Sequence, residues 1–176
     1  TNGASSGVAV ITQAYYQTQP WLTVTMLGFL KSGEMIGRVL SGFVQYAKEI
    51  PVKKRYSFTK FVYTVYDTMD SILLFLPFPL MLANRFLCGG LGTSSATIRE
   101  TAVQSYLPPE MRARVNAIFN VTFAVGGIFF QLLAGILGQI MPYRIAALIL
   151  GLTTLTSMYV LIVRPASQNR PIYEAT

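Results

Sequence analysis

The chain has 176 residues, of which 52% are hydrophobic and 12% charged, with a formal net charge of +7, one cysteine and no histidine. Soluble domains carry roughly 25% charged residues, so this composition, with a mean hydropathy of +0.47, points to a bilayer, and the length suits five or six helices of about 20 residues each. Cys88 alone cannot form a disulfide framework, and without histidine no zinc site of ordinary spacing can be assembled.

The first residues, 1–19, read as a partial helix and an extracellular loop. The apolar stretch 7–16 is too short to cross a membrane, so it is expected to be the end of a helix, closed by Pro20. The chain opens on Thr1 without a signal peptide, which reads as a processed or partial sequence. A transmembrane bundle is expected over 20–163. Its spans are about 21–45, with Trp21 at the interface; 58–76, stopped by Pro77 and Pro79; 80–107, stopped by Pro108 and Pro109; 115–140; and 143–163. Residues 164–176 read as a cytoplasmic tail. The expected fold is therefore all-α, a polytopic membrane bundle of about five full spans and a partial one.

The basic residues sort by side. Lys48, Lys53, Lys54, Arg55 and Lys60 flank the loop after the first span, Arg112 and Arg114 lie in the third loop, and Arg164 and Arg170 lie in the tail, while the alternate loops carry only Arg144. This asymmetry places the first loop, the third loop and the C-terminus in the cytoplasm of a cell membrane. It also explains the positive net charge without nucleic acid as a partner.

Eight ionisable side chains lie inside the apolar stretches: Lys31, Glu34 and Arg38; Asp67 and Asp70; Arg85, Arg99 and Glu100. Charges at that depth are costly and face a bundle interior, a partner or a water-filled cavity. Lys31, Glu34 and Arg38 share one helical face, on which Glu34 can pair with either neighbour and leaves a residual positive charge for Asp67 or Asp70. These five read as structural or gating charges, and the plain alternative is that they only tie the bundle together or snorkel. Arg85 reads as near enough to the outer surface to reach water. Gly33 and Gly37 form a GxxxG step with Gly42 beyond it, which points to close helix packing.

Arg99 and Glu100 are adjacent and point about 100° apart. Glu100 aligns with Thr93, Ala96, Thr97 and Gln104 in a polar stripe, so Arg99, Glu100, Thr93, Thr97 and Gln104 are the candidate transport path. Gly89, Gly90 and Gly92 do not make a phosphate loop, because no GK[ST] follows and no strand precedes them. In the fourth span Asn116, Asn120, Ala124, Gly127, Gln131 and Gly135 form one face, expected to be interior. The fifth, from Ala146 on, is uncharged and reads as peripheral.

The segments Gly33-Glu-Met-Ile-Gly37-Arg38-Val-Leu-Ser-Gly42, running into a basic loop, and Gln104-Ser-Tyr-Leu-Pro108-Pro-Glu110-Met-Arg112-Ala-Arg114-Val resemble the C-terminal half of a major facilitator superfamily (MFS) transporter of the bacterial efflux type. The resemblance covers about 7–163. It implies the end of the seventh helix and all of the eighth to twelfth, with the seventh and tenth lining a central path and the ninth and twelfth facing lipid. One motif departs from the family's pattern G-x-x-x-D-x-x-G-R-[RK]: the fifth place after and including Gly42 is Tyr46, and no glycine precedes Lys53-Lys54-Arg55, leaving Glu49 as the acid that could stand in.

The expected function is a secondary active transporter, here a fragment, moving a small and drug-like molecule by alternating access with ion or proton coupling; without histidine, Glu100 is the carboxylate expected to carry the proton. Its partners are the substrate, the bilayer, and a missing N-terminal half or a second copy. No enzyme activity, cofactor or metal is expected. The alternative is a non-transporting membrane protein that acts as an assembly or partner-binding module.

Overall fold

The computed structural model describes residues 2–48 and 50–174, so Glu49 lies outside the described residues. Those residues form helices throughout, with no strand among them. The helices are α1 (Asn2–Thr18), α2 (Val24–Ala47), α3 (Arg55–Ile72), α4 (Phe78–Tyr106), α5 (Pro109–Ile140), α6 (Tyr143–Met158) and α7 (Ala166–Tyr173). Short 3₁₀ turns precede α3 and follow it, and a π turn, Tyr159–Val163, extends α6.

Local chemistry sets the boundaries. The Thr23 hydroxyl accepts a hydrogen bond from the Met26 N–H at 3.2 Å and caps α2. Prolines start helices as well as stop them, since the first turn needs no proline N–H. Pro77 and Pro142 precede α4 and α6, and Pro109 opens α5. The expected fourth span thus begins six residues earlier than position 115, and the expected tail holds a helix, α7.

Five full spans are expected from the sequence, but by length and composition two helices among the described residues are apolar enough to cross a membrane: α5, and α6 with its π turn. The physical reason lies in the other three. The helices α2, α3 and α4 carry the eight interior charges, which lower their hydropathy because these helices face one another around a cavity.

The packing follows a repeat. The helices α2 and α4 run side by side in the same direction: Gly33 meets Leu82, Gly37 meets Phe86, and Ser41 meets Ser94. The helices α1 and α5 do likewise, with Gly7 on Phe130 and Ile11 on Gly138. Laying α1, α2 and α3 onto α4, α5 and α6 exchanges these two pairings, exchanges α1–α6 with α3–α4, and maps α3–α6 onto itself. The main helix contacts therefore obey a three-plus-three inverted repeat, the internal symmetry seen in many transporter folds.

Glycine permits the closest contact. A Cβ on Gly37 would fall on the Phe86 carbonyl, and one on Gly89 on the Glu34 carbonyl, so α2 and α4 touch backbone to backbone. Gly42, grouped with the packing glycines by sequence, faces open space. Between α3 and α6, Gly151 makes the same allowance for Ser71. At one end of the bundle the Tyr56 hydroxyl donates to the Ile162 carbonyl at 2.8 Å, joining the start of α3 to the end of α6. At the other, Arg144 donates to the Tyr15 hydroxyl at 2.9 Å and lies over the Tyr15 and Phe75 rings, joining α6 to α1 and to the α3–α4 hairpin.

The core runs between α1, α3, α4 and α6 through Ile11, Leu73, Leu74, Met81 and Leu150. In contrast, α5 has one buried residue, Ala134. Its expected interior face is open in this chain: Asn116, Asn120, Ala124, Gln131 and Gly135 are exposed and Gly127 is half-buried. The helix α6, uncharged from Ala146 on, buries one stripe, including Ala146, Ala147 and Leu150, and exposes Ile145, Ile149 and Leu152.

The backbone contact predicts a contrast between two glycines of the same helix. Gly37→Ala should destabilise the detergent-solubilised protein by about 1–3 kcal/mol, read as a lower thermal unfolding midpoint. Gly42→Ala should leave the midpoint unchanged or raise it, because alanine is the better helix former and meets no neighbour.

Candidate functional cavity

A cavity of about 560 Å³ opens between α1, α2, α3 and α4. All eight interior charges line it. Sequence reasoning divides them between cytoplasmic-side pairs, an outer-surface arginine and a transport path, whereas the fold brings them onto one surface. Four are basic and four acidic, so the lining is neutral overall and its chemistry depends on which charges are paired.

Asp70 pairs with Arg85 across the α3–α4 hairpin, the Arg85 guanidinium donating to Asp70 Oδ1. Both are buried, with 3% and 13% of their side chains exposed. The partner of Asp70 is thus Arg85, and the Lys31 cluster does not reach it with an ion pair. Asn84 supports the contact: its amide donates to the Met69 carbonyl at 2.9 Å, and its own oxygen accepts from Arg85 at 3.0 Å. Cys88 is buried and also donates to Asn84, so it packs as a structural thiol.

On α2, Glu34 pairs within the helix with Arg38, at 2.5 Å. Lys31 lines the cavity with no ion pair among the described residues. Asp67 is 1% exposed, and its Oδ2 has no hydrogen-bond partner. These two are the uncompensated charges of the cavity, Lys31 on the exposed surface of α2 and Asp67 deep on α3.

Arg99 and Glu100 both reach the lining, although they are adjacent on α4. Arg99 approaches Glu100 at 3.8 Å and the Tyr63 hydroxyl at 3.5 Å, and stacks 5.2 Å over the Phe123 ring of α5. Glu100 is 67% exposed, so it sits at the cavity mouth. Thr93 and Thr97 line the wall, with their hydroxyls donating to the carbonyls one turn back. Gln104 is exposed and lies outside the lining.

Sequence reasoning did not assign to the cavity Thr12 and Gln13 of α1, or Leu27, Leu30 and Leu73, which give it apolar wall. Tyr63 and Tyr66 add aromatic surface. The Asp70–Arg85 pair had a legible signal: the two residues are nearly equidistant from the Pro77 hairpin, so antiparallel helices bring them level. Near the mouth, Tyr173 of α7 packs on Tyr56, with ring centroids 6.1 Å apart. Burial foremost, then the neighbouring Tyr63, pushes its phenol up to about 12, so it stays neutral beside Arg99.

The apolar helices, the inverted three-helix repeat and the charged cavity define an all-helical membrane protein. Residues 69–175 match the family model described as Major Facilitator Superfamily, and the chain belongs to that superfamily, a family of membrane transporters. No curated protein and no solved structure matches the chain.

The buried ion pair predicts an asymmetric cost. Asp70→Asn or Arg85→Leu alone should destabilise by about 3–5 kcal/mol, because each strands the other member. The double variant Asp70→Leu with Arg85→Met should recover most of that loss, as measured by thermal unfolding in detergent.

Proposed function

We propose that the chain is half of a secondary active transporter that moves a small molecule through the α1–α4 cavity by alternating access, coupled to an ion. The observation that carries this reading is the convergence of eight ionisable side chains and several hydroxyls on one 560 Å³ cavity in a membrane transporter family. Groups so costly at membrane depth are retained where they meet water, substrate or one another. The apolar and aromatic wall of Leu27, Leu30, Leu73, Tyr63 and Tyr66 favours a lipophilic, drug-like substrate. The likeness of the Gln104–Val115 segment to drug-efflux members supports the same class and an export direction.

In this reading α2 to α6 all cross the bilayer, with α1 as the end of a further span. The basic loops and tail face the cytoplasm, as the excess of lysine and arginine favours. Arg99, Glu100, Thr93 and Thr97 form the path from the cavity to its mouth. A second six-helix half covers the exposed Asn116, Asn120 and Gln131 face of α5 and closes the cavity from the side.

Alternating access is tested without knowing the substrate. In the full-length protein with Cys88→Ser, Thr93→Cys and Thr97→Cys are reacted with a membrane-impermeant maleimide in right-side-out and in inside-out vesicles. The expected outcome is labelling of each cysteine from either side, with prior reaction from one side consuming the thiol and abolishing labelling from the other. Labelling from one side only, under all conditions, would identify a static vestibule and sink the transporter reading.

A further inference from the structure

We propose that Lys31 binds the anionic group of the substrate, and that the cavity takes amphipathic organic anions, with one carboxylate, sulfonate or phosphate on an apolar body. The class of ligand rests on the geometry of the cavity, and its being transported rests on the transporter reading.

Six of the eight ionisable side chains on the lining are matched in pairs: Arg38 with Glu34 at 2.5 Å, Arg85 with Asp70, and Arg99 with Glu100 at 3.8 Å. Arg99 is engaged further by the Tyr63 hydroxyl and the Phe123 ring. Lys31 and Asp67 are left over, and exposure separates them. Asp67 is 1% exposed, and its unpartnered Oδ2 is buried, so a ligand entering the cavity has no surface of that oxygen to touch. Lys31 is exposed, lines the cavity, and makes no ion pair or hydrogen bond among the described residues. A ligand that enters therefore meets one unmatched charge, and that charge is positive.

The placement of Lys31 adds the apolar half of the argument. Leu27, Lys31, Glu34 and Arg38 recur at helical spacing on the cavity side of α2, while Phe29, Ile36, Val39 and Phe43 are exposed on its other side. The ammonium is thus turned into the cavity, one helical turn from the half-buried Leu27, with the half-buried Tyr66 of α3 on the same lining. An ammonium is a compact charge with three donors and takes any oxyanion. Between apolar walls it gains more from that contact than it would in bulk water. A lipophilic cation is the poorer ligand, because Glu34 and Glu100 already face arginines and Asp67 is sealed. A bare inorganic anion would leave the apolar wall wet, and a cavity of about 560 Å³ has room for an organic body.

The test measures binding to the full-length protein in phosphatidylcholine nanodiscs by equilibrium dialysis, with empty discs as the blank. The probes are radiolabelled naphthalene-2-sulfonate and its cationic counterpart, trimethyl-2-naphthylammonium, which share the apolar body and differ in the sign of the charge. The anion should bind about tenfold or more tightly than the cation. Lys31→Gln should weaken the anion by about tenfold and leave the cation unchanged, Lys31→Arg should retain the anion, which guards against misfolding of the first variant, and Lys31→Glu should reverse the preference. Equal or tighter binding of the cation by the unaltered protein would overturn the proposal, as would anion binding that ignores Lys31→Gln. Adding phosphatidylglycerol to the discs distinguishes a soluble anion from a lipid headgroup: loss of the sulfonate to that lipid would make the lipid the ligand and remove the substrate class. Failure of the maleimide probes to alternate, with the anion still bound through Lys31, would remove transport and leave the site standing. Alternation without anion binding would remove the substrate class alone.

Discussion

An ionised group packed inside a helical bundle has nowhere to go except towards water or another charge, and eight ionisable groups on three helices constrain everything else in this chain. Turning all of them towards one cavity orients α2, α3 and α4 at once. The outward sides of those helices are then free to be apolar, as the exposed Phe29, Met35, Ile36, Val39 and Phe43 of α2 are. The buried Asp70–Arg85 pair fixes the depth at which α3 and α4 sit against each other, and Asn84 locks the arginine's direction. Such a pair adds little net stability over well-packed apolar residues, but separating its members is expensive, so it acts on register more than on total stability.

The second constraint is backbone contact between α2 and α4. With Gly37 and Gly89 at the crossing, the two helices approach as closely as chains can, and Ser41, Gln45 and Ser94 then hydrogen-bond across them. Tight packing of this pair leaves the opening on the other side, towards α1 and α3, where the charges lie. The equivalent pair under the internal repeat, α1 with α5, places Gly7 on Phe130 in the same way. One packing solution used twice builds most of the bundle.

Much of this was legible from residue order. The apolar periods, the prolines at 77, 79, 108 and 109, and the GxxxG step at Gly33 and Gly37 identify the helices, their ends and a close packing face. The charges inside the apolar runs announce a cavity, and the likeness to the superfamily agrees with the family match over 69–175. Boundaries slipped where one residue has two uses: a proline that stops one helix also starts the next. The tail helix α7 is not legible in the sequence because it is short, polar on average and carries Pro171 inside it, and it is held by contacts to distant residues, such as Tyr56. The interior stripe on α5 was read from its polar residues, yet nothing in the described chain covers that face.

Sequence alone determined that this is an all-helical chain made for a bilayer, with a basic end and a set of buried charges that cannot face lipid, because composition and helical periodicity are local properties. Only the tertiary structure decided which charges meet. Pairing between helices depends on their rotation and depth, which no spacing along one helix contains, whereas Glu34 with Arg38, four residues apart, is a pair that spacing alone offers. Hence Asp70 has Arg85, Glu34 keeps Arg38, and Asp67 is left buried with an unpartnered oxygen inside the cavity.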